Sequence, residues 1–164
     1  MNLKWRERLS ARSAAILHDE RGVTAIEFAV AAPFVLFMVL GTIELGVDMM
    51  IDARVEYAAQ AASRYGLTTT APTSGTRADA AKAAVTKVLS VWSGLPNTTV
   101  SIVETAYGSY GDIGSTNNTS GLGDLGDVVS YQISLTTPGI SGIPQLLGIS
   151  TMTFQRNYIV QNEK

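Results

Sequence analysis

The chain has 164 residues, 46% of them hydrophobic and 16% charged, with no cysteine, one histidine and a formal net charge of −2. That length fits one domain plus a short extra element, and the mildly acidic balance argues against a nucleic-acid partner. Without cysteine there are no disulfides, zinc–thiolate sites or thiol nucleophiles, and His18 alone supports neither a histidine-based triad nor a histidine metal cluster.

Charge is unevenly spread. Residues 1–22 hold Lys4, Arg6, Arg8, Arg12 and Arg21 against Glu7, Asp19 and Glu20, whereas residues 23–164 hold seven basic and eleven acidic side chains. Between them runs Phe28–Ile43, sixteen residues without a charge. A basic leader ahead of an apolar run is an export or membrane-insertion signal. Sixteen helical residues rise roughly 24 Å, short of the ~30 Å hydrocarbon core. Extension to Val23 and Val47 reaches about 37 Å and takes in Glu27 and Glu44 near the two ends. A core helix of a soluble protein would carry a polar stripe, but apolar residues surround this one, so it reads as a membrane span. A cleaved secretory signal would place a small-residue site just after the apolar core, and Gly41–Gly46 offers no A-x-A pattern. The charge asymmetry orients the N-terminus to the cytoplasm and the C-terminal bulk outside. Pro33, inside the span, is expected to kink it.

The helix then continues. Val47, Ile51, Val55, Ala58, Ala62 and Tyr65 form one apolar stripe, while Asp48, Asp52, Glu56, Gln60 and Ser63 occupy another face. The spacing predicts a single helix of about forty residues, half in lipid and half packed on a domain.

The run from Arg21 to Gly46 (RGVTAIEFAVAAPFVLFMVLGTIELG) resembles the N-terminus of the TadE-like pseudopilins of the tight-adherence (Flp) branch of type IV pili. The Glu27-Phe28 pair, Pro33, Glu44 within Gly41–Gly46, and the alanine-rich stretch Tyr57–Arg64 carry the likeness, which covers about residues 21–66. The resemblance implies that a prepilin peptidase cuts after Gly22, making Val23 the new N-terminus and Glu27 the fifth mature residue. Physical logic stands beside it. An acid among apolar residues is costly in lipid and requires a partner, and the freed amine of Val23 on a neighbouring subunit is one. The competing reading has Glu27 snorkel to headgroups and pair with nothing. A glycine at the cut suits a crowded protease site that takes an extended backbone.

Beyond the helix, Gly66–Thr76 is rich in Thr, Pro, Ser and Gly and reads as a linker. Thr76 with Asp79 is a short capping box opening a second helix, whose stripe is Ala81, Val85, Val88 and Trp92 and which Gly94 ends. Three strands follow, at Thr99–Thr105, Val128–Thr136 and Thr151–Val160. Val129, Tyr131, Ile133 and Leu135 face inward in the second; Met152, Phe154, Tyr158 and Val160 do so in the third, with Arg156 breaking that face. Residues 107–126, with six glycines, read as a solvated connection; Asp112, Asp124 and Asp127 lack the spacing of a calcium loop. Ile140, Ile143, Leu146, Leu147 and Ile149 read as a hydrophobic turn closing the core rather than as a docking patch.

The expected organisation is a cytoplasmic leader (1–22), a transmembrane helix (23–47), its continuation (48–66) and an exported α+β domain (67–164). The fold class is α+β, with the long helix packed on a small antiparallel sheet; this agrees with the pilin-like architecture that the resemblance implies. The resemblance further implies a single-pass protein of the bacterial inner membrane, its C-terminal domain periplasmic or extracellular, acting as a minor pseudopilin in pilus assembly. Its partners would be the prepilin peptidase, other pilin and pseudopilin subunits, the inner-membrane assembly platform and membrane lipid. The alternative is an uncleaved, membrane-anchored binding domain. No cofactor is expected, and no nucleophile-elbow or paired-carboxylate motif supports an enzyme.

Overall fold

The computed structural model describes residues 20–67 and 74–163. Most of the leader expected over residues 1–22, and the centre of the expected linker, lie outside the described residues. The elements in chain order are α1 (Glu20–Leu67), α2 (Arg77–Val88), a one-turn α3 (Ser90–Ser93), β1 (Thr99–Tyr107), a 3₁₀ turn (Tyr110–Asp112), β2 (Asn118–Ser120), β3 (Val128–Thr137), a one-turn α4 (Ile143–Leu146) and β4 (Met152–Gln161).

The chain divides into two compact units, up to Thr42 and from Ile43 onward. In the first, α1 is the described element, running through Pro33 without a break in its assignment. Val23, Ile26, Phe28, Val30 and Phe34 through Leu40 are all exposed there. The helix is long and apolar enough to cross a membrane: its most apolar window has mean hydropathy 2.3, and none of that window is buried. Apolar helical surface bare of protein contacts is what a lipid-facing segment requires.

The second unit is two-layered. Its sheet is antiparallel throughout, in the order β2-β1-β3-β4. The register stacks rows across the inner face: Val100–Leu135–Phe154, Ile102–Ile133–Arg156, Glu104–Tyr131–Tyr158 and Ala106–Val129–Val160. Strand alternation puts these side chains on one side, where the C-terminal half of α1 and all of α2 cover them. Ile51, Val55, Ala58, Ala59 and Ala62 of α1 meet Ala81, Val85 and Leu89 and the β3 residues in one core. Alanines at four-residue spacing let helix backbone lie close to the sheet.

Several sequence expectations change in detail. Gly66 and Leu67 belong to α1 rather than to the linker. Ser63, expected on the polar face, is buried with its hydroxyl donating to the Gln60 carbonyl (2.9 Å), and Tyr65, expected on the stripe, is exposed. The capping box is present in full, Thr76 Oγ1 accepting from Asp79 N at 3.1 Å and Asp79 Oδ2 from Thr76 N at 2.9 Å. The second helix does not run unbroken to Gly94: it breaks at Leu89, whose side chain turns into the core, and resumes as α3. The connection 107–126 is not merely solvated, because it adds the edge strand β2 and buries Leu122. Asn162 pins it, donating from Nδ2 to the carbonyls of Leu122 (2.7 Å) and Asp124 (2.8 Å), and Arg77 donates to that of Gly123 at 3.0 Å.

Candidate functional site

The residues expected to carry processing and assembly all lie on the exposed apolar half of α1. Gly22, Val23, Glu27, Phe28 and Pro33 are exposed, and a side chain added at Gly22 would meet nothing within 4 Å. Among the described residues α1 runs from Glu20, so the Gly22–Val23 bond is helical rather than extended. A peptidase acting there must unwind the helix locally, and glycine, the poorest helix former after proline, makes unwinding easier.

A second acid on α1 is handled differently. Glu44 is 5% exposed, although its neighbours Ile43 and Leu45 are bare. Its Oε1 accepts from the backbone N–H of Ile140 at 3.0 Å, and its Oε2 from that of Ser141 at 2.6 Å. Two successive backbone N–H groups converging on one anion form a small nest, with Gly142 supplying the left-handed turn beyond (φ +80°). Gly139 is required for the approach: a Cβ there would stand 2.7 Å from Glu44 Oε1 and 2.5 Å from Pro144 Cγ. The carboxylate therefore ties the segment between β3 and β4 to the helix with two partly buried, charge-assisted bonds. One turn on, burial and the charge of Glu44 push the Asp48 carboxyl above its ordinary range.

Two turns further, the residue that interrupts the inner face of β4 finds its partners. Arg156 bridges α1 by pairing with Asp52 through Nη2 and with Glu56 through Nε at 3.0 Å, while Gln60 donates to the other Glu56 oxygen at 3.0 Å. These groups are partly exposed, so each pair contributes little alone; together the four side chains favour one rotation of α1 about its axis. Glu44 meets the chain near the Thr137 end of β3, and Arg156 sits midway along β4. So α1 and β4 run in the same direction, and the end of the sheet holding Thr99, Thr137 and Met152 is the end where the helix enters.

On the other flank, Met50, Arg54, Tyr57, Tyr65, Lys87 and Trp92 line a shallow groove between α1 and α2. At the edge of the core, the exposed Lys82 of α2 lies 3.9 Å from the buried Glu104. Burial pushes that acid up, more than the Lys82 charge draws it down, and burial likewise raises the Tyr131 hydroxyl beside it.

The sequence placed Glu44 near the end of the span and within the family likeness, but did not foretell the two amides that bind it. A signal was present: Pro138-Gly139-Ile140-Ser141-Gly142 is a turn with free amides, and no charge occurs between Asp127 and Arg156 to compete for the acid. The expected core-closing turn is corrected as well. Ile143 and Pro144 are buried, but Ile140, Leu146, Leu147 and Ile149 are exposed, because α4 is a single turn and offers only one side to the core.

Residues 22–64, almost the whole of α1, match the family model described as TadE-like protein, so the chain carries a TadE-like helix able to serve as a single-pass membrane anchor. No curated protein and no solved structure matches the chain.

Proposed function

We propose, starting from this TadE-like helix, that the protein is a minor pseudopilin of a tight-adherence (Flp) pilus, a structural subunit rather than an enzyme. The observation that carries the reading is the coincidence of the family match with one helix whose first part is bare and apolar and whose second part forms the spine of a folded domain. In this reading a prepilin peptidase removes residues 1–22 on the cytoplasmic side of the inner membrane, and the domain from Ile43 onward lies outside. Val23 then bears a free amine. In the assembled state the Glu27 carboxylate meets the Val23 amine of a neighbouring subunit, which neutralises both in the membrane and favours one axial register. The Glu44 clamp serves the same end within the chain, since it satisfies the second acid of the apolar stretch without a partner subunit.

Mass spectrometry of the protein purified from membranes of its native host tests the processing step. A mature chain beginning at Val23 is the expected result. An intact Met1 in the functional protein overturns it and leaves an uncleaved membrane-anchored binding domain. Glu27→Ala is expected to leave membrane insertion intact while abolishing incorporation into assemblies, read by co-purification with pilus subunits.

A further inference from the structure

The longest charge-free part of the exported domain is Val128–Gln155, twenty-eight residues without Asp, Glu, Lys, Arg or His. Its middle, residues 138–151, joins β3 to β4 at the end of the sheet where α1 enters, and the Glu44 clamp holds it there. The segment is folded rather than loose: Ile143 and Pro144 anchor it inward, and the amides of Leu147 and Ile149 bond back to Pro144 O at 3.0 and 2.8 Å. What it turns outward is apolar. Ile140 is 51% exposed, Leu146 79%, Leu147 64% and Ile149 46%. Ile43 and Leu45, on either side of Glu44 in the helix, are exposed as well.

We infer that residues 140–149 form a membrane-resting loop, whose Ile140, Leu146, Leu147 and Ile149 insert shallowly into the bilayer interface and hold the exported domain against the lipid. The inference rests on α1 being a membrane anchor. Three observations select lipid over a protein partner: tethering at Glu44, the acid that ends the charge-free run of the helix, the exposed Ile43 and Leu45 flanking that acid, and the absence of any charge from the segment. A protein interface of this size normally carries a polar or charged rim, whereas an interfacial loop is favoured by exposed aliphatic side chains and by hydrogen bonding of its own backbone. Here Glu44, Ser141 and the α4 turn take up amides that would otherwise be lost to water.

Because the chain has no native cysteine, single labels are unambiguous. The full-length protein is reconstituted into phosphatidylcholine vesicles with an NBD fluorophore at Leu147→Cys, at Leu36→Cys in the span, or at Thr119→Cys on β2, at the far end of the sheet. Lipids brominated high in the acyl chain serve as quenchers. The inference expects a blue-shifted, bromine-quenched label at Leu147, a quenched label at Leu36 and an unquenched, water-like label at Thr119. Adding anionic lipid should leave the Leu147 quenching unchanged, since no charge takes part. Quenching at Leu36 with none at Leu147 overturns the inference and leaves the anchor standing. A blue-shifted but unquenched label at Leu147 overturns it in favour of a protein cover. Absence of quenching at both sites overturns the anchor as well. Leu147 is exposed, so the label does not disturb the core.

Discussion

Replacing Glu44 isolates the interaction that fixes the β3–β4 connection to the helix. The carboxylate receives two backbone N–H bonds, at 3.0 Å from Ile140 and 2.6 Å from Ser141, and is almost wholly buried. Hydrogen bonds to a charged group contribute about 1.5–3 kcal/mol each. Water can reach amides left by truncation in a partly exposed turn, so Glu44→Ala should cost about 2–4 kcal/mol rather than the full sum. Glu44→Gln retains one acceptor oxygen and turns an NH₂ toward the second donor, so it should cost about 1–2 kcal/mol. Denaturant unfolding of the full chain in detergent micelles gives the stability difference. Hydrogen exchange resolved at Ile140 and Ser141 gives the local consequence, with protection lost at both amides in the alanine variant and at one in the glutamine variant. If Glu44→Ala unfolds within about 0.5 kcal/mol of wild type and both amides keep their protection, the clamp does not hold this segment.

Gly139→Ala should reproduce much of this effect by steric means, because its Cβ would press on Glu44 Oε1 and Pro144 Cγ; a loss of about 1–3 kcal/mol in the same unfolding assay is expected. Arg156→Ala removes both ion pairs to α1 and should cost about 1 kcal/mol at low salt, with a smaller difference at high salt, as thermal unfolding at two ionic strengths will show. Glu104 gives a pH signature. Its folded pKa lies above the ordinary value of 4.5, so protonation favours the fold, and the stability it adds is present below that value and lost as pH rises through the folded pKa. Glu104→Gln should flatten that decline, by about 1.4 kcal/mol for every tenfold difference in proton affinity between the folded and unfolded chain, in unfolding curves collected upward from mildly acidic pH. A decline of unchanged size in the variant would assign it to another group.

The helix and the sheet were legible because their signals are local. A charge-free run with apolar residues on every side has one stable environment, and the stripe Val47–Ile51–Val55–Ala58–Ala62 announces a helix that outlasts it. Alternation along Val129–Leu135 set the inner face of β3, and the Thr76–Asp79 pair marked the start of α2 within one turn. Even the flaw at Arg156 was visible as a break in the pattern.

What tertiary structure decided is how those flaws are resolved. No spacing along the chain tells that Arg156 answers Asp52 and Glu56 a hundred residues earlier, or that Asn162 converts a glycine-rich connection into a pinned loop with an extra strand. The two acids of the apolar helix show the difference best. Both Glu27 and Glu44 announce a cost in the sequence, but only folding reveals that Glu44 is met by two amides of a distant turn while Glu27 stands exposed. Hydrophobic patterning is written in the order of neighbouring residues; the partner of a buried charge is set by which distant segments the folded backbone brings together.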